Sequence, residues 1–339
     1  MSEAMPIGGF FGLEPASASA PDGASVLDRW TAGAPGWLGF HNARSAFAHL
    51  IRRLDPATVW LPCYLCRDMD VAGARARYYG SGDDPALRSE LADGDLVLTL
   101  AAFGAPVAEG LRRLASARPA VTWVEDRAQA LAVPDALAVP CAWRLYSPRK
   151  LIGVGDGGLL VGPVARLGTP DLAEPPARHL AAAEARAEAR DAAQVGAAYR
   201  RYVEIERDHT VSDLAMADAT REILARLPLD PLALRRRANF EILDARLADH
   251  AAPLAIDLRR AEAPFGYPLV IERDRDGVAA RLAADDMFCA VHWRELVRGG
   301  AEDAGAQARA ARLLTLPVDH RYGAAEMTRL AERVLREVA

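Results

Sequence analysis

Hydrophobic positions along the chain fall into short runs separated by polar stretches. Val59-Trp60-Leu61, Ala76 to Tyr79, Leu96 to Phe103, Val121 to Val124, Arg144 to Tyr146 and Gly158 to Val161 each have strand length and are bounded by Gly, Pro or Asp. Helical stretches lie between several of them. From about Ala43 to Leu54, the residues Phe47, Leu50, Ile51 and Leu54 share one helical face, and Asp55-Pro56 closes the pattern. Apolar strands alternating with helices predict an α/β domain whose mainly parallel sheet is covered on both faces, because parallel strands need crossover connections.

The Ala-rich stretch from Pro175 to His209 predicts one long, partly exposed helix started by Pro175-Pro176. A further helix is expected over Leu232–Leu247, where the run Arg235-Arg236-Arg237 reads as a solvated face. After Pro264 the pattern changes to strands near Leu269–Ile271, Met287–Val291 and Leu313–Leu316 and a closing helix near Ala325–Val338. The expected organisation is a large domain over 1–240 and a small α/β domain over 241–339. Residues 1–30 form a partly flexible arm, and 15–25, rich in Ala, Ser, Pro, Gly and Asp, form a surface segment.

Composition narrows the class. With 339 residues, 51% hydrophobic and 26% charged, the chain supports a buried core and is neither disordered nor collagen-like. Its 41 basic and 46 acidic side chains give a net charge of −5 with both signs dispersed, which suits a soluble enzyme and offers no footprint for nucleic acid. No window approaches the roughly 20 apolar residues of a membrane span, and no secretory leader pattern opens the chain, so a cytoplasmic location is expected. The four cysteines (Cys63, Cys66, Cys141 and Cys289) are too few and scattered for a disulfide framework and are expected as reduced thiols.

Chemistry concentrates between Val121 and Gly162. One apolar strand ends in Glu125-Asp126, which puts a carboxylate at the C-terminal edge of a parallel sheet, where ligands of α/β proteins bind. The next strand ends at Ser147-Pro148-Arg149-Lys150, and the glycine-rich Gly153 to Gly158 follows, where backbone passes close to a ligand. That glycine run is not a dinucleotide fingerprint, because it leads into a strand where the fingerprint opens a helix. Cys63-Tyr64-Leu65-Cys66 lacks the second cysteine pair or histidine cluster of a zinc site.

This segment resembles the DegT/DnrJ-type pyridoxal phosphate (PLP)-dependent aminotransferases, which include many sugar aminotransferases of the aspartate aminotransferase fold. Asp126, Gln129, Ser147, Lys150 and Gly155-Asp156-Gly157-Gly158 follow the family's order of acid, Gln or His, Ser, Schiff-base lysine and Gly-acid-Gly-Gly turn. Asn42 to Ala46 resembles its early phosphate loop, Leu61 to Tyr64 and Phe103-Gly104 its following strand ends, and Val291-His292-Trp293 and Leu314 to Val318 its C-terminal strands.

The resemblance implies that Lys150 binds PLP covalently and shuttles a proton, and that Asp126 pairs with the pyridinium so that the ring accepts electrons. It further implies that Ser147 and the backbone amides of Ala43, Arg44 and Ser45 receive the phosphate at a helix N-terminus. Gln129 would bond the 3-hydroxyl, Tyr64 would stack on the ring, and His292 and Trp293 would border the substrate pocket. The implied reaction moves an amino group from an amino acid, expected to be glutamate, to a keto-sugar or other keto metabolite, in a homodimer whose site lies at the interface. Elimination or substitution on the same scaffold, and a non-catalytic ligand-binding relative, are the competing readings. Retention of Lys150 argues against the dehydratase branch, which carries histidine there. The chain departs from the family in reading Ala43-Arg44-Ser45 where a Gly-Thr or Gly-Ser pair is usual. It also places Lys150 only three residues after Ser147 and reads Asp208 to Ser212 where a partner-subunit Asn and Arg-Met-Ser segment is usual, so that the intersubunit phosphate contact is either lost or remade by Arg207.

Overall fold

The short apolar runs become strands of one central sheet. The computed structural model describes residues 6–15, 23–80, 84–208, 210–250, 257–297 and 304–338. Among them are eleven strands: β1 (Ile7–Gly8), β2 (Trp37–Phe40), β3 (Val59–Pro62), β4 (Ala76–Tyr79), β5 (Leu96–Leu100), β6 (Thr122–Asp126), β7 (Trp143–Tyr146), β8 (Gly158–Val161), β9 (Gly266–Val270), β10 (Met287–Phe288) and β11 (Leu313–Pro317). Seven form the central sheet in the order β2-β8-β7-β6-β5-β3-β4. β4, β3, β5, β6 and β7 are mutually parallel, and β8 lies antiparallel between β7 and β2.

Two-residue alternation explains the burial of both faces. Val59, Leu61, Leu96 and Leu98 pack with Phe47, Leu50 and Ile51 of the Ala43–Leu54 helix on one face. Trp60 and Val97 pack with Leu87, Leu111 and Ala115 on the other. The helix ends where expected, with Asp55 in the left-handed region and its N–H on the Ile51 carbonyl.

Two runs differ from the sequence expectation. The Leu96–Phe103 run leaves the sheet after Leu100, because Phe103 adopts φ 55° in a tight turn over Ala102–Gly104. The Pro175–His209 stretch is not one helix: Arg178–Glu188 and Ala192–Asp208 pack on each other, and His209 lies outside the described residues. Asp191 makes the break, since its carboxylate accepts the Gln194 N–H at 2.9 Å and its carbonyl the Val195 N–H at 3.0 Å, starting a new helix. The Leu229–Leu247 helix carries Pro231 in its first turn, where the missing N–H has no intrahelical role.

Toward the C-terminus, β9 and β11 form an antiparallel pair. Their core joins Phe240, Leu243 and Leu247 to Leu330, Ala331 and Val334 of the closing Ala324–Val338 helix. The expected Met287–Val291 strand shortens to β10, which pairs in parallel with β1, while Ala290 bridges to Thr315. Of the 15–25 segment, residues 16–22 lie outside the described residues, and Ser25 caps the Val26–Thr31 helix through a reciprocal bond with Asp28. No helix among the described residues is long and apolar enough to cross a membrane.

Candidate active site

Strand register brings the chemistry together. Leu100 pairs with Asp126 across β5 and β6, and Asp126 with Leu145 across β6 and β7, so three neighbouring strands end level. Asp126 and Ser147 therefore sit side by side at the C-terminal edge of the sheet. Together with Lys150, Gln129, Trp293 and the Ala43–Arg44 helix start they line one narrow cavity of about 30 Å³. Wider spaces flank it. One of about 330 Å³ shares Leu100 with it, and one of about 110 Å³ shares Lys150.

Alternation sends the two acids of the strand end to different places. Glu125 is fully buried against Arg127, whose Nε and terminal nitrogen donate to Oε2 at 2.9 and 2.6 Å. Arg127 also donates to the Tyr146 hydroxyl at 3.1 Å, which fixes the loop after Asp126. Asp126 turns to the cavity. Its Oδ1 accepts the Ala128 N–H at 2.8 Å, and no donor among the described residues meets Oδ2. Burial pushes the Asp126 carboxyl above the usual carboxylate range, while the Ala128 N–H and the Lys150 charge pull against it.

Lys150 ends the Pro148–Lys150 turn, held by its own N–H on the Ser147 carbonyl at 3.1 Å. Its amine makes no hydrogen bond or ion pair among the described residues, and neither does the buried Ser147 hydroxyl. Gln129 accepts the Phe103 N–H on Oε1 at 2.9 Å, which leaves its amide nitrogen as a donor on the cavity wall.

The glycine turn packs behind the helix start that lines the cavity. Gly157, at φ 121°, donates to the His41 carbonyl at 2.7 Å. A Cβ on Gly158 would lie 2.1 Å from the Asn42 carbonyl carbon and 2.3 Å from the Ala43 nitrogen, so only glycine lets β8 run against the helix start. Asp156, which precedes them, is fully buried and accepts the Ala217 N–H at 2.9 Å and the Thr220 hydroxyl at 2.5 Å.

The helix start is shared between capping and cavity. Asn42 is the N-cap, its Oδ1 accepting the Ser45 N–H at 2.8 Å. The Ser45 amide, expected as a phosphate donor, is thus engaged, and its hydroxyl accepts the Ser212 N–H at 3.0 Å. Ser45 is absent from the cavity wall. The Ala43 and Arg44 amides hold the first two helical positions, which have no intrahelical acceptor. The Arg44 guanidinium pairs with Asp68 at 2.8 Å. Thr210 and Ser212, from the segment read as a partner-subunit contact, bond Asn42 and Ser45 of the same chain.

Two further predicted residues stand back from the wall. Tyr64 donates its hydroxyl to the His292 carbonyl, lies 5.0 Å from the Trp293 ring and under the Arg309 guanidinium, and lines the wider space. His292 is wedged edge-on against Phe103 and Phe265, with Nδ1 3.0 Å from the Thr315 hydroxyl. Burial, with the Lys150 charge adding to it, drops its pKa to about 3, so the ring is neutral. Of the aromatic candidates it is Trp293 that reaches the cavity. Asn42, Cys66, Asp68 and Arg149 also line it. An Asn just before an apolar helical run is a cap signal that could have found Asn42, whereas Cys66 and Asp68 sit in a turn with no periodic signal.

No family model matches the chain, and no curated protein matches it in sequence. Solved structures do. An aminotransferase TlmJ from Streptoalloteichus hindustanus is 18% identical, with 99% of this chain and 100% of that one covered at a TM-score of 0.65. DesV of S. venezuelae, solved in complex with a ketimine intermediate, is 18% identical over 93% of this chain and 88% of that one, with a TM-score of 0.63. A DegT DnrJ EryC1 StrS aminotransferase from Brucella abortus is 15% identical over 92% and 88%, with a TM-score of 0.58. The α/β fold with its large, mainly parallel sheet is therefore the fold of these DegT-type aminotransferases.

Proposed function

We propose that the chain is a PLP-dependent aminotransferase, working as a cytoplasmic homodimer, that moves an amino group from an amino acid, with glutamate the expected donor, to a keto-sugar or other keto metabolite. The observation that carries this reading is the set of unspent polar groups around one cavity. The Lys150 amine, the Ser147 hydroxyl and Asp126 Oδ2 all lack partners among the described residues, beside a helix N-terminus. Three chemically different polar groups left without protein partners around one internal cavity mark a place for a ligand.

The donor set fits PLP. Ala43 and Arg44 amides with the Ser147 hydroxyl suit the phosphate, the Gln129 amide nitrogen suits the ring hydroxyl, and Asp126 suits a protonated ring nitrogen. The cavity itself holds about 30 Å³, and the larger spaces that share Leu100 and Lys150 with it adjoin the same groups. Bound there, PLP supplies an electron sink and a carrier for the amino group. A cation beside Asp126 favours its charged form against the burial that opposes it. Lys150 would hold the cofactor through its amine, with loss of water, and when free would take and return a proton at Nζ. Trp293 shields one side of the cavity from water.

The test is spectroscopic. Purified protein given PLP is expected to gain a visible band that borohydride abolishes, and Lys150→Ala to gain none. At least one amino acid should then convert the band to the pyridoxamine form. A colourless wild type refutes the reading, and a band that no amino acid converts refutes aminotransfer in favour of other PLP chemistry.

A further inference from the structure

The first described residues of the chain run from the C-terminal unit to the loop that carries Lys150. After β1 pairs with β10, the Arg321 guanidinium donates to the Gly9 and Phe10 carbonyls at 3.2 and 3.0 Å and lies 4.1 Å from the centre of the Phe11 ring. The Phe10 ring stacks 4.7 Å from Tyr202 of the Ala192–Asp208 helix. Gly8, Gly9 and Phe11 line the space of about 110 Å³ that Lys150 also faces.

The crossing ends at Gly153, three residues after Lys150. A Cβ on Gly153 would lie 2.0 Å from the Gly12 carbonyl oxygen, so only glycine lets the two backbones meet. Glu14 holds Gly153 twice: its N–H donates to the Gly153 carbonyl at 2.8 Å, and its Oε1 accepts the Gly153 N–H at 3.1 Å. The same oxygen lies 2.9 Å from His320 Nε2. Burial pushes the Glu14 carboxyl up, but the His320 bond and charge, with the Gly153 N–H, outweigh it and hold the group below the usual carboxylate range. The side chain is 16% exposed, so water competes little for these bonds.

The Lys150 side chain makes no hydrogen bond or ion pair among the described residues, so its backbone is what places the amine. That backbone is fixed upstream by the end of β7 and the Pro148–Lys150 turn, and downstream by the grip on Gly153. We propose that Glu14 is a positioning residue for Lys150, acting through Gly153. The proposal rests on the aminotransferase reading and adds the N-terminal segment to the site that reading describes. A reacting group misplaced by about 1 Å loses on the order of 100-fold in rate, so a partial loosening of this grip slows the transfer measurably.

Three substitutions test it. Glu14→Ala removes the acceptor of the Gly153 N–H, Glu14→Gln keeps one, and Glu14→Asp keeps the charge but draws the oxygen back by one carbon. At saturating amino acid, the rate constant for conversion of the visible band is expected to fall roughly 10-fold in the alanine and aspartate variants and to stay within about 2-fold of wild type in the glutamine variant. It is read per loaded site, so a loss of folded protein lowers the amplitude and not the rate constant. Hydrogen exchange without PLP reads the grip itself: the Gly153 amide should exchange roughly 10-fold faster in the alanine and aspartate variants and as in wild type in the glutamine variant. Gly153 exchange that ignores all three substitutions overturns the proposal, and Glu14→Asp decides if Glu14→Ala does not fold. No visible band in wild type, with Gly153 exchange responding to Glu14, sinks the aminotransferase reading alone. A band that amino acids convert at the wild-type rate in Glu14→Asp sinks the positioning role alone.

Discussion

Replacing Asp156 by Asn should flatten the pH dependence of stability in a defined window. Asp156 is fully buried in the glycine turn, and burial pushes its pKa from 3.8 up to about 6, although the Thr220 hydroxyl and the Ala217 N–H oppose the rise. The folded state therefore binds this proton more tightly than the unfolded chain, so the group's contribution is full below pH 3.8 and is lost as pH climbs through about 6. At pH 5 most folded molecules keep the proton and nearly all unfolded ones have shed it, which is worth about 1.4 kcal/mol. By pH 7.5 the contribution is close to zero. Asn mimics the protonated acid, able to accept from Ala217 and to donate to the Thr220 oxygen, and does not titrate. Urea unfolding at pH 5 and pH 7.5 should show wild type losing about 1.4 kcal/mol more than Asp156→Asn across that interval. Parallel losses in the two proteins would show that Asp156 titrates as it does in the unfolded chain, and the argument from burial would fail.

Three other substitutions probe the cavity. Gly158→Ala drives a methyl to within 2.1 Å of the Asn42 backbone and 2.3 Å of the Ala43 nitrogen, so PLP affinity should fall by roughly 10-fold or more; unchanged affinity in an equilibrium titration would separate the helix start from the phosphate. Asn42→Ala removes the cap on Ser45 and should cost about 1 kcal/mol in urea unfolding followed by circular dichroism, and no loss would mean the cap is redundant. Asp126→Asn keeps the size of the side chain but not its charge, so the visible band should persist while conversion by the amino donor slows roughly 100-fold; an undiminished rate would remove Asp126 from the chemistry.

What the sequence disclosed depended on whether a residue's position is set locally. Asp126, Ser147 and Lys150 were legible because each follows an apolar strand, and parallel strands ending together place such residues at one edge. The Ala43–Leu54 helix was legible at its C-terminal end, through Asp55. Tyr64 and Trp293 were harder. Both are apolar aromatics beside strand ends, and which one reaches the cavity depends on how Tyr64 packs under Arg309 and Trp293, a contact between residues more than two hundred positions apart. Ser45 shows a different limit: the motif named the right helix, but the cap consumed the amide that the motif would offer a phosphate.

The Leu229–Leu247 helix shows where sequence reading had more to give. Leu232, Arg236, Phe240, Leu243 and Leu247 follow one another at three or four residues and all are buried. The apolar members alone define that stripe, and extending it by helical spacing places Arg236 inside. Reading Arg235-Arg236-Arg237 as one charged run averages over directions about 100° apart around the helix, which merges a buried cation with two neighbours that point elsewhere. Position on the stripe is the stronger evidence, because burying a guanidinium costs far more than exposing a leucine, and a fold keeps such a residue only where something compensates it. Here the compensation includes the Leu151 carbonyl, which takes one donor, and the charge of Asp319, which pulls against the burial.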